Sequence, residues 1–224
     1  MERIIEQMPI VLGALNSGFL QTLRLFFITL IGAVPLGLVI AFGSMSKFRP
    51  LSMLSKFIVW IIRGTPLMIQ LLIIFYFPGL VLHKQIWGGG ETGRFLAASL
   101  SFVLNYACYF SEIYRGGIQS VPAGQEEAGL VLGMTKTQIF FKVKLMQMIK
   151  RIVPPMSNEI ITLVKDTSLA FTLSVMEMFT TAKALASSQV SMMPFVAAGI
   201  FYYVFNLVVA MFLEWLEKKL DYYR

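Results

Sequence analysis

Long apolar runs separated by short polar connections set the pattern of this chain. Five of the runs approach the roughly 20 residues that an α-helix needs to cross about 30 Å of hydrocarbon. They cover residues 19–42, 57–82, 95–113, 152–176 and 193–216. The pattern predicts an all-α, polytopic membrane protein with five transmembrane helices in a single membrane domain over residues 1–224. Ahead of the first run, MERIIEQMPIVLGAL places apolar residues at helical spacing with Glu2, Arg3 and Glu6 between them. That pattern predicts a short N-terminal helix lying at the membrane interface. A cleaved signal peptide fits less well, because acidic residues precede the apolar part and no small-residue cleavage site follows promptly.

One polar stretch, residues 115–150, interrupts the apolar pattern and is too long to be a plain connection. Pro122, Gly124 and the run Gln125, Glu126 and Glu127 open a helix with its acids in the first turn, where the helix dipole favours them. Ala128, Leu130, Val131 and Leu132 supply an apolar side, and Gly133 ends the helix. A second helix starts near Thr135, with Thr135 and Thr137 as candidate N-caps. It carries Ile139, Phe140, Val143 and Met146 near one face and lysines elsewhere, an amphipathic element. A short helix projecting from a membrane domain with apolar and acidic groups exposed is shaped to fit a groove on a partner.

Composition agrees with a bilayer environment. The chain is 57% apolar and 14% charged, with a mean hydropathy of +0.72, well outside the range of soluble domains. Of its 19 Lys and Arg, twelve fall in the connections at 47–56, 115–151 and 218–224, on one side of the predicted membrane. Lys and Arg in short loops are retained on the cytoplasmic side, so the N-terminus is expected outside and the central segment and C-terminus inside. The net charge of +7 then reads as a topology signal and not as a nucleic-acid surface.

No motif for nucleophilic, metal or nucleotide chemistry appears. There is no Gly-x-Ser-x-Gly, no His-Glu-x-x-His and no cluster of metal ligands. His83 lies in a connection beside Lys84, and Cys108 sits singly in an apolar run. The run from Gly88 to Arg94 lacks the Gly-Lys-Ser/Thr ending of a phosphate cradle and reads as a flexible turn. An enzyme is not expected, and if ATP energises this protein, another chain binds it.

Several local words carry a family resemblance. Glu127-Ala128-Gly129 followed three residues later by Gly133 resembles the EAA loop of ABC importer membrane subunits. The run from Ser111 to Gln125, SEIYRGGIQSVPAGQ, is similar to the one that precedes this loop in permeases of the polar amino acid uptake family. Arg63-Gly64-Thr65-Pro66-Leu67, and Asn158-Glu159 through Lys165-Asp166-Thr167-Ser168-Leu169, resemble two further signatures of that family. The resemblance covers nearly the whole chain. It implies a bacterial inner-membrane protein in which two permease subunits pair, each docks an ABC ATPase that binds ATP and Mg, and an extracytoplasmic binding protein delivers an amino acid. The coupling contacts would come from Gly124, Gln125, Glu126, Glu127, Ala128, Gly129, Gly133 and Met134. Gly129 stands where Ala is usual, and Met146 where Pro commonly follows Leu.

Charged residues inside the fourth run are the candidate substrate contacts, because ionisable groups at membrane depth usually face a cavity, a partner or a pathway. Glu159 and Asp166 are seven residues apart, within about 20° on one helix face and ~10 Å along the axis, with Thr162 near the same line. Such a face suits the ammonium groups of a basic or dibasic amino acid, in the class of arginine, histidine or cystine; the family resemblance also covers neutral polar amino acids such as glutamine. The competing reading has Lys165 pair with one of the acids and neutralise it. Asp166, Thr167 and Ser168 form a mid-helix cap cluster, which either breaks the helix and offers N–H groups to a substrate carboxylate or bonds back onto its own turn. Arg63 either holds a substrate carboxylate with its fork or borders the inner gate. An ion-gradient-driven carrier is the alternative to the ABC reading; it has no evident use for a helical handle over 124–148.

Overall fold

The computed structural model describes residues 2–220, with side chains from residue 8 onward; Glu2, Arg3, Glu6 and Arg224, used in the sequence reading, therefore lie outside the described side chains. All regular structure among the described residues is helical.

Helix α1 (Glu2–Ser44) is a single 43-residue helix, about 64 Å long. The expected interfacial helix is thus not a separate element but the opening turns of the first span. Val11 and Leu15 are buried against Met178, Ala182 and Ala198, while Met8, Ile10 and Leu12 are exposed.

The second predicted span, 57–82, is broken. Helix α2 (Arg49–Arg63) and helix α3 (Leu67–Leu80) meet at 110°. Pro66 has no N–H to donate and keeps Thr65 out of the helical region, so the helix stops where the sequence places Gly64, Thr65 and Pro66. Each half is about 21–22 Å long, shorter than the hydrocarbon layer.

Helix α4 (Gly90–Gln119) is the central post, packed along α1 and touching α2, α3 and the fourth predicted span. Around it lies the main core, including Leu25, Phe26, Leu71, Phe102, Phe110 and Leu163.

After α4 come the short helices α5 (Gly124–Val131) and α6 (Lys136–Ile139). A π-helical turn, Phe140–Lys144, then leads directly into helix α7 (Leu145–Asp166), so the second helix of the polar segment is continuous with the fourth span. The chain tightens into a 3₁₀ stretch, Thr167–Leu173, turns at Ser174 with φ 53°, and enters helix α8 (Met178–Gln189) at 58°. Helix α9 (Met193–Leu220) closes the fold. By length and apolarity, α1, α4 and α9 each suffice to cross a membrane, and the two bent pairs bring the number of crossings to as many as five.

Candidate translocation and coupling sites

Asp166 is the last residue of the α-helical part of the fourth span and is partly buried. Tyr106 on α4 donates its hydroxyl to Asp166 Oδ2 at 2.7 Å. Glu159, about two turns back on the same face of α7, is also partly buried. The Asp166 carboxylate and the Arg63 guanidinium both lie within electrostatic reach of it. Lys165 is exposed, and among the described residues no ion pair joins it to Glu159 or Asp166. The two acids therefore share a face on which Lys165 lies within electrostatic reach of Asp166 but, among the described residues, is in ion-pair contact with neither.

The neighbouring hydroxyls are turned inward on their own helix. Thr162 Oγ1 donates to Asn158 O at 3.0 Å, Thr167 Oγ1 to Val164 O at 2.7 Å and Ser168 Oγ to Lys165 O at 2.8 Å. Of the two local alternatives, this is the back-bonded one: the helix changes type at Asp166 but does not open there, and the break comes at Ser174. Thr167 is fully buried.

Arg63, at the end of α2, lies over the Tyr109 ring, 5.1 Å from its centroid, and its Nη1 is 3.8 Å from Glu112 Oε2. Glu112 is held mainly by Arg115, which donates to its two oxygens at 3.1 and 2.5 Å. Glu112 is thus shared between two guanidinium groups, more than the simple i,i+3 pair that spacing alone predicts. A cavity of about 760 Å³ opens beside them, lined by Lys56, Trp60, Arg63, Tyr109, Glu112 and Arg115 among others.

The polar segment folds by local chemistry that its sequence spells out. At the end of α5, Gly133 takes φ 72°, while its N–H and that of Met134 donate to Leu130 O and Gly129 O at 2.9 and 3.0 Å. This is a Schellman motif, and it needs the left-handed conformation glycine adopts without strain. Thr135, and not Thr137, caps α6: its hydroxyl accepts from Gln138 N at 3.3 Å while Gln138 Oε1 accepts from Thr135 N at 2.9 Å, a full capping box. Gly129 is buried under Ile139, so close that a Cβ would lie 2.6 Å from Ile139 Cγ1. Ile139 alone of the expected apolar face is buried; Phe140 and Met146 are exposed and Val143 is in between, because the π-turn rotates the later residues out of phase.

An ion pair between Glu126 and Lys144 ties α5 to the π-turn, and Arg151 of α7 donates to Ser120 O at the end of α4. The hydrogen bond from Lys144 holds the Glu126 carboxyl below the usual carboxylate range. Facing outward, Val131 and Leu132 are 88% and 78% exposed, and Gln125, Glu127 and Ala128 are exposed beside them.

One buried acid escaped the sequence reading. Glu177 is fully buried and caps α8, accepting from Phe179 N at 2.6 Å and from Thr180 N at 2.7 Å. Tyr202 of α9 donates to it at 3.1 Å, and Thr22 of α1 accepts from Met178 N at 3.2 Å. These bonds satisfy the first N–H groups of a helix that begins inside the protein. Gly18 permits the approach: a Cβ there would sit 2.9 Å from the Met178 Cα.

Residues 33–222 match the family described as binding-protein-dependent transport system inner membrane component. The L-cystine transport system permease protein TcyB of Bacillus subtilis is 36% identical over 212 residues, 93% of this chain and 87% of that protein. The octopine transport system permease protein OccM of Rhizobium radiobacter is 38% identical over 216 residues, 92% and 86% of the two chains. The arginine transport system permease protein ArtQ of Bacillus subtilis is 32% identical over 217 residues, 96% and 94% of the two chains. Among solved structures, an amino acid ABC transporter with histidines superposes with a TM-score of 0.85 at 29% identity, covering 95% of this chain and 97% of its own. The inward-facing MetNI methionine ABC transporter has a TM-score of 0.69 at 16% identity over 96% and 98% of the chains, a likeness of fold.

Proposed function

Since the chain belongs to the binding-protein-dependent transport inner membrane family and is a permease subunit of an amino acid ABC importer, we propose that it lines the substrate path with the Glu159 and Asp166 face. We propose further that it takes its driving motion through α5. An ABC ATPase binding ATP and Mg docks on the exposed Val131, Leu132 and Glu127 surface, and its closure moves α5. The capping box and the Gly129–Ile139 contact make α5 and α6 a compact unit. The π-turn joins that unit to α7, which carries both acids. Movement at the docking surface is thereby transmitted to the helix that faces the substrate, a rigid-body route to alternating access.

The substrate is a basic or dibasic amino acid. The observation that carries this reading is a face with two partly buried carboxylates and no lysine bound to either. A carboxylate out of bulk water attracts a cation more strongly than one at the surface. Relatives named for L-cystine, octopine and arginine are compatible with it. A second permease subunit completes the path, and an extracytoplasmic binding protein delivers the amino acid. The N-terminus lies outside and the C-terminus in the cytoplasm, following the distribution of Lys and Arg.

The test is Glu159→Gln in the reconstituted importer, assayed with a panel of radiolabelled amino acids. A selective loss of uptake for arginine-like substrates supports the assignment. Unchanged uptake and selectivity across the panel contradict it.

A further inference from the structure

The elbow of the broken second span is held by two side chains to which the transport reading gives no part. Where α2 ends, the turn through Gly64, Thr65 and Pro66 leaves carbonyls that no continuing helix can satisfy. Gln70, in the first turn of α3, reaches back to them. Its Nε2 donates to Ile62 O at 2.7 Å and lies 3.0 Å from both Thr65 O and Thr65 Oγ1. Its Oε1 accepts from Asn105 Nδ2 on α4 at 2.9 Å. Gln70 is 6% exposed and Asn105 5%. Only a side-chain amide meets this demand, because it carries two N–H donors for the carbonyls and one acceptor for Asn105. A carboxylate would turn lone pairs toward carbonyl oxygens, and an apolar isostere would leave Ile62 O only the long 3.4 Å bond from Thr65 Oγ1 and take the Gln70 donor from Thr65 O.

The same face of α4 continues toward Arg63. Asn105, Tyr109 and Glu112 stand at i, i+4 and i+7, one line along the helix. Asn105 meets Gln70, Tyr109 meets the Arg63 guanidinium at 5.1 Å, and Glu112 stands 3.8 Å from it. Arg63 is the last residue of α2, so the direction of its side chain follows the geometry of the turn. Its own contacts are loose, with the side chain 42% exposed, whereas the amide network next to it is buried and short. The network is the stiffer constraint.

We propose that Gln70 and Asn105 are positioning residues: together they fix the angle between α2 and α3 and hold Arg63 against Tyr109 and Glu112 at the mouth of the cavity. The link to transport rests on the reading that Arg63 borders the substrate path. The clamp itself rests on the hydrogen bonds alone.

Two measurements on the assembled importer separate these. Hydrogen–deuterium exchange reads the backbone of residues 62–70 in the parent, in Gln70→Met, in Gln70→Glu and in Asn105→Leu, the last of which removes only the bond to α4. Exchange there is expected to rise about tenfold or more in both Gln70 variants and less in Asn105→Leu. Unchanged exchange in all three overturns the clamp, whatever Arg63 does. Uptake is then measured in a double-mutant cycle. Gln70→Met is expected to slow uptake about tenfold with Arg63 present and to add nothing in an Arg63→Gln background. Losses that multiply overturn the claim that Gln70 acts through Arg63. Faster exchange with uptake indifferent to Arg63→Gln upholds the clamp and removes Arg63 from the path. Should Gln70→Met fail to assemble, Asn105→Leu runs through the same cycle.

Discussion

The hydroxyl of Tyr106 on α4 donates to Asp166 on the fourth span at 2.7 Å, across a separation of 60 positions in the chain. This bond occupies one oxygen of the carboxylate and fixes its direction, so Asp166 presents a single defined face. Tyr106→Phe removes the donor and keeps the ring. The KM for a cationic amino acid is expected to rise roughly five- to tenfold, the worth of about 1 kcal/mol for one hydrogen bond, with little change in maximal rate. Uptake kinetics in proteoliposomes for one cationic and one neutral amino acid check this. An equal change for both substrates places the bond in general packing and not in substrate choice.

Gly129 and Ile139 lock α5 onto α6, and the contact leaves no room for a methyl group. Gly129→Ala is expected to cost about 1–2 kcal/mol, since the near atoms belong to a side chain that can give way. Gly129→Leu cannot be absorbed in that manner and should separate α5 from α6. The readout is the number of amino acid molecules moved per ATP hydrolysed by the assembled importer. It is expected to fall slightly for alanine and severely for leucine, while ATP hydrolysis continues. A leucine variant with undiminished coupling would show that the α5–α6 contact does not transmit the motion.

Glu126 and Lys144 give the loop a pH dependence of known sign. The folded carboxyl titrates lower than the unfolded one, so the pair's contribution is present above the ordinary glutamate range and is lost as pH falls through the lowered value. No loosening is expected between pH 8 and 5, and some is expected below about pH 4. Limited proteolysis of the loop over residues 120–135 follows it. Lys144→Met should abolish the pH step, and because the pair is only partly buried at the protein surface its effect on overall stability should be slight.

Glu177 holds the start of α8 by two backbone N–H bonds inside the protein. Glu177→Ala is expected to destabilise the subunit by roughly 2 kcal/mol, combining a lost cap with stranded donors. A thermal unfolding scan in detergent measures it as a lowered Tm. Thr22→Val, which removes the acceptor of Met178 N, should act in the same direction and by less.

The parts of this architecture that were legible in the sequence are those set by short-range chemistry. Gly133 and the Thr135 to Gln138 box announce the end of one helix and the start of the next because each acts on backbone groups within a few residues. The apolar lengths of α1, α4 and α9 are equally local. Pro66 marked a bend, but its size is set by Gln70 and Asn105, and the latter comes from another helix. Glu177 gave too faint a signal: glutamate is an uncommon N-cap, and the side chains that support it from afar, Tyr202 as its donor and Thr22 as the acceptor of the adjacent Met178 N, lie on α9 and α1. Helix α8 is short and only mildly apolar, so it reads as connection until α1 is seen packed against it. For the same reason the N-terminal stretch looked interfacial: the partners that bury Val11 and Leu15 lie more than 160 residues further on.

Uptake of radiolabelled arginine into proteoliposomes, with and without the partner ATPase and with ATP supplied on its side, tests the central claim most directly. Accumulation is expected only when ATPase and ATP are both present, and to be lost when Gly129→Leu breaks the α5–α6 unit. Accumulation driven by an ion gradient in the absence of the ATPase would contradict the claim and make this chain a self-sufficient carrier.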